Sequence, residues 1–576
     1  MEPEAPGRRP RRRSARPAAQ PGRDVAGLAE IARGSTLNLA GAAISAAATV
    51  GVTVLVTRQF TRPVAGAFFT ATSLFLIVEA IAGLGAYSGV VYFIARLWSL
   101  GAESRIPIML RAAIVPVVVS SVGAAVLLLA FADPLARALL DGRSFSGAAA
   151  PSAVADALRA LAAALPFAAL LDTFLGAGRG YRDMRPTVVV DRIGRSCLQL
   201  LGVLAAALTG TAALLAPLWA LSYIPAAAAA WLWLRRIRLQ HPERAAVRPG
   251  FATLPPVAVA ETPSDEGSER TEQPGDSTLA NANPRGFWLF TAPRAVATVA
   301  QMVIQRLDIV LVGIIRGPVE AAIYTAATRF LVVGQLGNAA ISMAAQPQLS
   351  HLFARHDRRG ANTVYQATTA WLIILTWPLY LLAVVYGPEV LTVFGHSYRA
   401  GATVMVILGL TMLLGTACGQ VDMVLTTTGR SGWSLANGLL ACSVNVVVDL
   451  ALIPRYGITG AAIGWAAAIT VANLVPLIQL AWIVRVHPFG TGTLAACVLC
   501  ALSFGVIPVL VRAVLGGGAA GLAVTVAAGC AALAAGVWLC REPLQLSVIL
   551  GLFSRGAKPA EAAPQHAEPA GGTGRR

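Results

Sequence analysis

Charge is scarce in this chain. Only 13% of its 576 residues are Asp, Glu, Lys or Arg, against about 25% in an ordinary soluble chain. That shortage excludes the usual division of a chain this long into several soluble domains. Lysine is nearly missing: 44 of the 45 basic residues are arginine, and Lys558 is the exception. The phosphate-loop spelling Gly-x-x-x-x-Gly-Lys-Ser/Thr does not occur, which excludes ATP binding by that loop. No short apolar segment with an Ala-x-Ala exit follows the basic start, so no cleavable leader is expected and the first apolar run itself directs insertion. The six histidines are scattered, and none pairs with a carboxylate at a spacing suited to general acid–base chemistry, so no enzyme is expected. The seven cysteines lie in or at the ends of apolar runs. Cys497-x-x-Cys500 reads as packing there, with no disulfide and no metal expected.

What the chain has instead is apolar length. It is 56% hydrophobic, in runs of about 20 residues, enough to cross ~30 Å of hydrocarbon as a helix. Lipid permits only helices or closed barrels, and these runs do not alternate as barrel strands do. The expected fold is therefore an all-α membrane protein with about fourteen transmembrane helices. The net charge of +17 suggests nucleic acid at first sight, but its distribution does not. With loops assigned to alternate sides, about 31 arginines share the side of the N-terminus and about 8 lie opposite. That bias places both termini in the cytoplasm of an inner (plasma) membrane and makes the basic start a topology anchor, with no nucleic-acid partner.

The runs divide the chain into parts. Residues 1–34 read as a disordered basic tail, 35–234 as a six-helix lobe, and 235–285 as a flexible linker. Residues 286–482 form a second six-helix lobe, 483–540 two further transmembrane helices, and 541–576 a cytoplasmic tail. Pro63 to Val78 overlays Pro318 to Val333 at a constant offset of 255, with eight of sixteen positions identical. Each half starts on the same side, so the repeat is parallel. Parallel repeats in transporters enclose a substrate path between the halves.

Polar residues inside the runs mark candidate sites, because each charge costs ~2.5–3.5 kcal/mol to insert. Arg192, Arg195 and Gln199 share one helix face. They read either as a cationic wall or as interfacial side chains that snorkel, with Asp191 one turn from Arg195. Gln301, Gln305 and Asp308 form a polar stripe expected to face inward, with Arg306 beside it. Glu79, Arg329 and Gln335 are further cavity candidates. Asn445 and Asp449, one turn apart, read with Asp308 as oxygen ligands for a small cation or as an interhelical hydrogen bond.

Four segments resemble a known family: Arg33-Gly-Ser-Thr-Leu-Asn38, Gly83-Leu-Gly85, Gly180-Tyr-Arg-Asp-Met-Arg-Pro186, and above all Asn445-Val-Val-Val-Asp-Leu-Ala-Leu-Ile-Pro-Arg-Tyr-Gly-Ile-Thr-Gly-Ala-Ala462. They look like the polysaccharide-exporter branch of the multidrug/oligosaccharidyl-lipid/polysaccharide (MOP) flippase superfamily, related to lipid II flippases. The resemblance implies two lobes in a V, alternating access, and export of a lipid-linked glycan across a bacterial membrane for envelope assembly. It implies no cofactor, a sodium ion or proton as coupling ion, and sodium at Asp308, Asn445 and Asp449, with Thr459 or Thr470 completing the site. The implied partners are membrane lipids and glycan polymerase or glycosyltransferase machinery. Arg192, Arg195, Arg306 and Arg329 are the candidates to hold a diphosphate, since a guanidinium offers two donors to one phosphate. One departure stands out: Asn38 to Thr57 carries no charge, where lipid II flippases carry arginine. That favours another polyprenyl-linked glycan. A drug/cation antiporter of the same superfamily and a transport-inactive scaffold are the alternatives.

Overall fold

The structure is a computed structural model. It describes residues 21–139, 151–244 and 283–544, with side chains over 37–138, 151–239 and 283–544. Among these residues every regular element is helical. The first half runs α1 (Pro21–Gln59), α2 (Arg62–Ala82), α3 (Ala86–Ser99), α4 (Ile106–Ala130), α5 (Ala132–Leu139) and α6 (Pro151–Gly180). A π-helical stretch, Thr187–Arg195, then continues directly into α7 (Ser196–Thr209), followed by α8 (Leu215–Leu221) and α9 (Tyr223–Arg244). The second half runs α10 (Pro284–Arg316), α11 (Pro318–Ala354), α12 (Arg358–Val385), α13 (Gly387–Leu391), α14 (Ala402–Ala417), α15 (Val421–Thr427), α16 (Ser431–Tyr456) and α17 (Ile458–Gln479). Last come α18 (Thr491–Cys500), α19 (Ile507–Leu515) and α20 (Ala519–Leu539).

Twelve helical stretches among the described residues are long and apolar enough to cross a membrane. The sequence suggested about fourteen. The two that fall short are the continuous helix 187–209 and α11. The first opens with Asp191, Arg192 and Arg195, and the second carries Glu320, Arg329, Gln335 and Asn338. These side chains lower the hydropathy of helices that nevertheless pack within the bundle.

Two expected boundaries also move. Helix α1 begins at Pro21, inside the stretch read as a disordered tail, because Asp24 to Ala32 is rich in helix-forming Ala, Leu and Glu. Helix α9 reaches Arg244, into the expected linker. At the linker's other end α10 starts at Pro284, where the Asn283 side chain accepts the Gly286 N–H at 2.8 Å, an N-cap ahead of a first-turn proline. The rest of the linker, the first 20 residues and the tail from 545 lie outside the described residues.

The end of the bundle that carries the α1–α2 turn is called the far end below, and the opposite end the near end. At the far end the repeated segments meet. Gly66 of α2 lies so close to Pro318 at the start of α11 that a β-carbon would overlap the Pro318 carbonyl. Arg58, at the end of α1, reaches the second half of the chain: its Nε donates to the Val393 carbonyl at 2.8 Å and its Nη2 to the Thr392 carbonyl at 2.6 Å. At the near end α2 breaks into α3 through Leu84 and Gly85, both left-handed at φ 50° and 64°, whereas α11 runs on unbroken.

Helix α10, which carries Pro293 in its interior, packs on helices of both halves of the chain. Near its start the Trp288 indole N–H donates to the Ala112 carbonyl of α4, and Phe290 stacks on Tyr92 of α3 with ring centroids 4.1 Å apart. Further along it packs on α2 and on α16. The C-terminal helices hang on the second half. Arg512 of α19 pairs with Glu389 of α13 at 3.1 Å, and Tyr386 Oη lies 2.9 Å from Thr525 Oγ1 of α20.

Candidate functional site

The long helices enclose a polar cavity of about 300 Å³, lined by α1, α2, α6, α7 with its π stretch, Trp219 of α8 and the start of α9 on one side, and by α10 and α11 on the other. Charge inside it is segregated. Glu79, Asp172, Asp191 and Arg195 line one part, and Arg306 and Arg329 another. Arg195 is occupied: its Nε donates to Asp191 Oδ1 at 2.6 Å, and its guanidinium carbon lies 5.1 Å from the Tyr223 ring centroid. The π stretch brings Asp191 and Arg195 to the cavity wall together; such irregular turns recur at functional sites.

Arg306 and Arg329 are different. They lie near each other, and neither forms an ion pair among the described residues. Arg329 is 8% exposed and its Nε donates to the Thr325 carbonyl at 3.1 Å. Arg306 Nε has no acceptor. A buried guanidinium, Arg329, beside a half-buried one, Arg306, with no counter-charge is costly unless an anion joins them.

A second cluster lies between α10, α11 and α16. Asp308, Asn445 and Asp449 are 3%, 0% and 0% exposed. Asp308 Oδ2 accepts the Tyr324 hydroxyl at 2.7 Å, Asn445 Nδ2 donates to Asp449 Oδ2 at 3.1 Å, and Asp308 lies beside both. Each of the three keeps one side-chain oxygen, Oδ1, with no hydrogen-bond donor. Three unpartnered buried oxygens, two of them on carboxylates, suit a hard cation. Gly464 of α17 faces Asp449 Oδ1 so closely that a β-carbon there would collide with it.

The structure places the sequence candidates unevenly. Glu79, Arg195, Arg306 and Arg329 line the cavity; Asp308, Asn445 and Asp449 come together in the second cluster. Arg192 does not line the cavity, because its Nη1 donates to the Asn38 carbonyl of α1 at 2.9 Å. Gln301, Gln305 and Gln335 are exposed and outside the lining. The stripe expected to face inward is thus covered only at Asp308, where α10 meets α16. Thr470 bonds back to the Ala466 carbonyl of its own helix, and Gly464, not Thr459 or Thr470, is what α17 presents to Asp449. Asp172 and Tyr223 were not singled out from the sequence. A lone Asp amid the apolar residues of α6 was the available signal for the first. Tyr223 carries no such signal.

A bundle of long apolar helices around a polar, charge-lined cavity is an architecture suited to sheltering a polar solute inside a membrane. A MatE family model matches residues 293–450, a stretch that includes Arg306, Asp308, Arg329, Asn445 and Asp449. The fold is similar to that of the lipid II flippase MurJ in an inward closed conformation, with TM-score 0.63 and 12% identity over 88% of this chain and 99% of that one. It is also similar to an inward-facing multidrug resistance MATE transporter of the MOP superfamily, with TM-score 0.55 and 16% identity over 77% and 97%. A curated protein of Haloferax volcanii, the probable low-salt glycan biosynthesis flippase Agl15, is 19% identical over 228 residues. That match covers 39% of this chain and 48%, about half, of the relative. Residues 293–450 thus match the MatE family, and the fold is the one that these two solved transporters share.

Proposed function

We propose that this protein is an alternating-access flippase for a polyprenyl-diphosphate-linked glycan, moving it from the near to the far side of a cell membrane, with the near end cytoplasmic. The observation that carries this reading is the Arg306–Arg329 pair in the cavity wall, Arg329 buried and Arg306 half-buried, with no carboxylate partner among the described residues. A diphosphate supplies the missing negative charge, and each guanidinium can grip it with two donors. A sugar-diphosphate headgroup cannot cross hydrocarbon exposed, so the cavity shelters it while the lipid tail stays in the bilayer. The similarity to a glycan biosynthesis flippase and to a lipid II flippase supports the same substrate class. On this reading helix 187–209 and α11 also span the membrane, lined on their polar sides by the cavity, and bring the total to fourteen in two parallel six-helix lobes plus two helices.

The Asp308–Asn445–Asp449 cluster serves the coupling cation in this account. An inward monovalent cation gains ~2.3 kcal/mol per 100 mV of membrane potential. Its three unpartnered oxygens, held by α10 and α16, sense the relative position of helices that belong to different packing partners.

A second reading, a drug/cation antiporter, is favoured by Glu79, Asp172, Phe68 and Trp219 in the same cavity. Purified protein separates the two. Arg306→Ala should weaken binding of a polyprenyl diphosphate at least about tenfold and abolish transport while the protein still elutes as a folded species. Unchanged diphosphate binding, with an organic cation bound instead, would favour the antiporter.

A further inference from the structure

The acidic part of the cavity has no role in holding a diphosphate. Glu79 of α2 lies against Asp172 of α6, and the other charged groups near Glu79 are Arg195 and Asp191. Arg195 offsets this charge only in part, since it also pairs with Asp191 at 2.6 Å. Tyr223 stands between the two parts of the cavity, near Arg306 on one side and near Arg195, Glu79 and Asp172 on the other. Beside the acids, Gln199 lines the same cavity. It is 8% exposed, and its Nε2 has no acceptor. An unpartnered buried amide costs stability unless a ligand completes it.

We infer that Glu79, Asp172 and Gln199 form a sugar subsite that accepts a hydrogen-bond-donating sugar, neutral or amino, next to the diphosphate and rejects a uronic acid there. This deepens the flippase reading and rests on it. Glu79 and Asp172, in contact, share a proton; the negative charge left on the pair still accepts from sugar hydroxyls or an ammonium group and repels a sugar carboxylate. The Gln199 amide adds a donor for a ring or hydroxyl oxygen. Size agrees: about 300 Å³ is at the small end of ligand sites, roughly 300–1,000 Å³. The cavity therefore meets the diphosphate and the sugar attached to it, and the rest of the glycan stays outside. Selectivity falls on the first sugar.

The test uses full-length protein in proteoliposomes and three synthetic lipids that share one polyprenyl diphosphate and carry glucose, glucosamine or glucuronic acid. Wild type should flip the glucosyl and glucosaminyl lipids at least about tenfold faster than the glucuronyl lipid. Asp172→Asn, which changes an exposed cavity side chain, and the Glu79→Gln/Asp172→Asn double variant should each narrow that ratio, the double variant to about threefold or less. A faster glucosaminyl than glucosyl rate would identify an ammonium as the preferred donor. Equal rates for all three lipids in wild type would overturn the subsite, as would a ratio unchanged in a folded double variant. Failure of wild type to flip any of the three would instead count against the flippase reading itself.

Discussion

Tyr324 of α11 donates its hydroxyl to Asp308 Oδ2 of α10 at 2.7 Å, with both side chains buried. This bond satisfies one carboxylate oxygen and leaves Oδ1 without a donor, in a carboxyl group that lies beside Asn445 and Asp449. Tyr324→Phe removes the donor and strands Oδ2 in a buried place. The loss should cost about 1–3 kcal/mol of stability, read as a lower thermal midpoint in detergent. If the cluster binds the coupling cation, the same variant should need more sodium for half-maximal transport. An unchanged midpoint and an unchanged sodium dependence would show that the bond orients nothing.

Sodium itself should stabilise the wild-type protein. A ligand at 100 times its Kd adds about 2.7 kcal/mol, so the thermal midpoint should rise with sodium and not with an equal concentration of choline. Asp308→Asn and Asp449→Asn each remove a carboxylate and should abolish the rise. A rise that persists in both variants places the ion elsewhere.

Gly464 offers a probe that leaves every proposed ligand intact. Its missing side chain makes room for Asp449 Oδ1. Gly464→Ala is a mild change for a helix, since alanine favours a helix by ~1 kcal/mol over glycine. Here the added methyl must displace Asp449. The expected outcome is a folded protein without the sodium-dependent thermal shift, measured in the same assay; a full shift would mean that Asp449 moves aside at no cost.

Arg58 ties the two halves of the chain together at the far end through the Thr392 and Val393 carbonyls. The contact is exposed, so each bond contributes about 0.5–1.5 kcal/mol. Arg58→Ala should therefore shift the equilibrium toward opening of that end by several-fold. Spin labels placed on either side of the far end and read by pulsed electron resonance would show a larger long-distance population. An unchanged distance distribution would mean that the Gly66–Pro318 packing closes this end alone.

Much of this architecture was legible in the sequence because hydrocarbon leaves a helix few options. Most of the apolar runs, and the placing of Asn445 and Asp449 one turn apart on one of them, followed from length, hydropathy and spacing. What escaped has a common cause: helical periodicity tells which residues share a face, not which neighbour covers it. Gln301, Gln305 and Asp308 lie on one stripe, yet α16 covers only the last. Arg192 and Arg195 are three residues apart, but the π stretch lets one reach the cavity while the other bonds to the α1 backbone. Tyr324 and Gly464 matter through residues distant in sequence, and no local pattern points to either.

The central claim is that this cavity carries a lipid-linked, diphosphate-bearing headgroup across a membrane. Its most direct test is flipping of a fluorescent polyprenyl-diphosphate sugar by purified protein in proteoliposomes, with and without an imposed sodium gradient. The account predicts flipping that accelerates with the gradient in wild type, is lost in Arg306→Ala, and loses its gradient dependence in Asp308→Asn. Folded wild-type protein that flips no such lipid, under either condition, would contradict it.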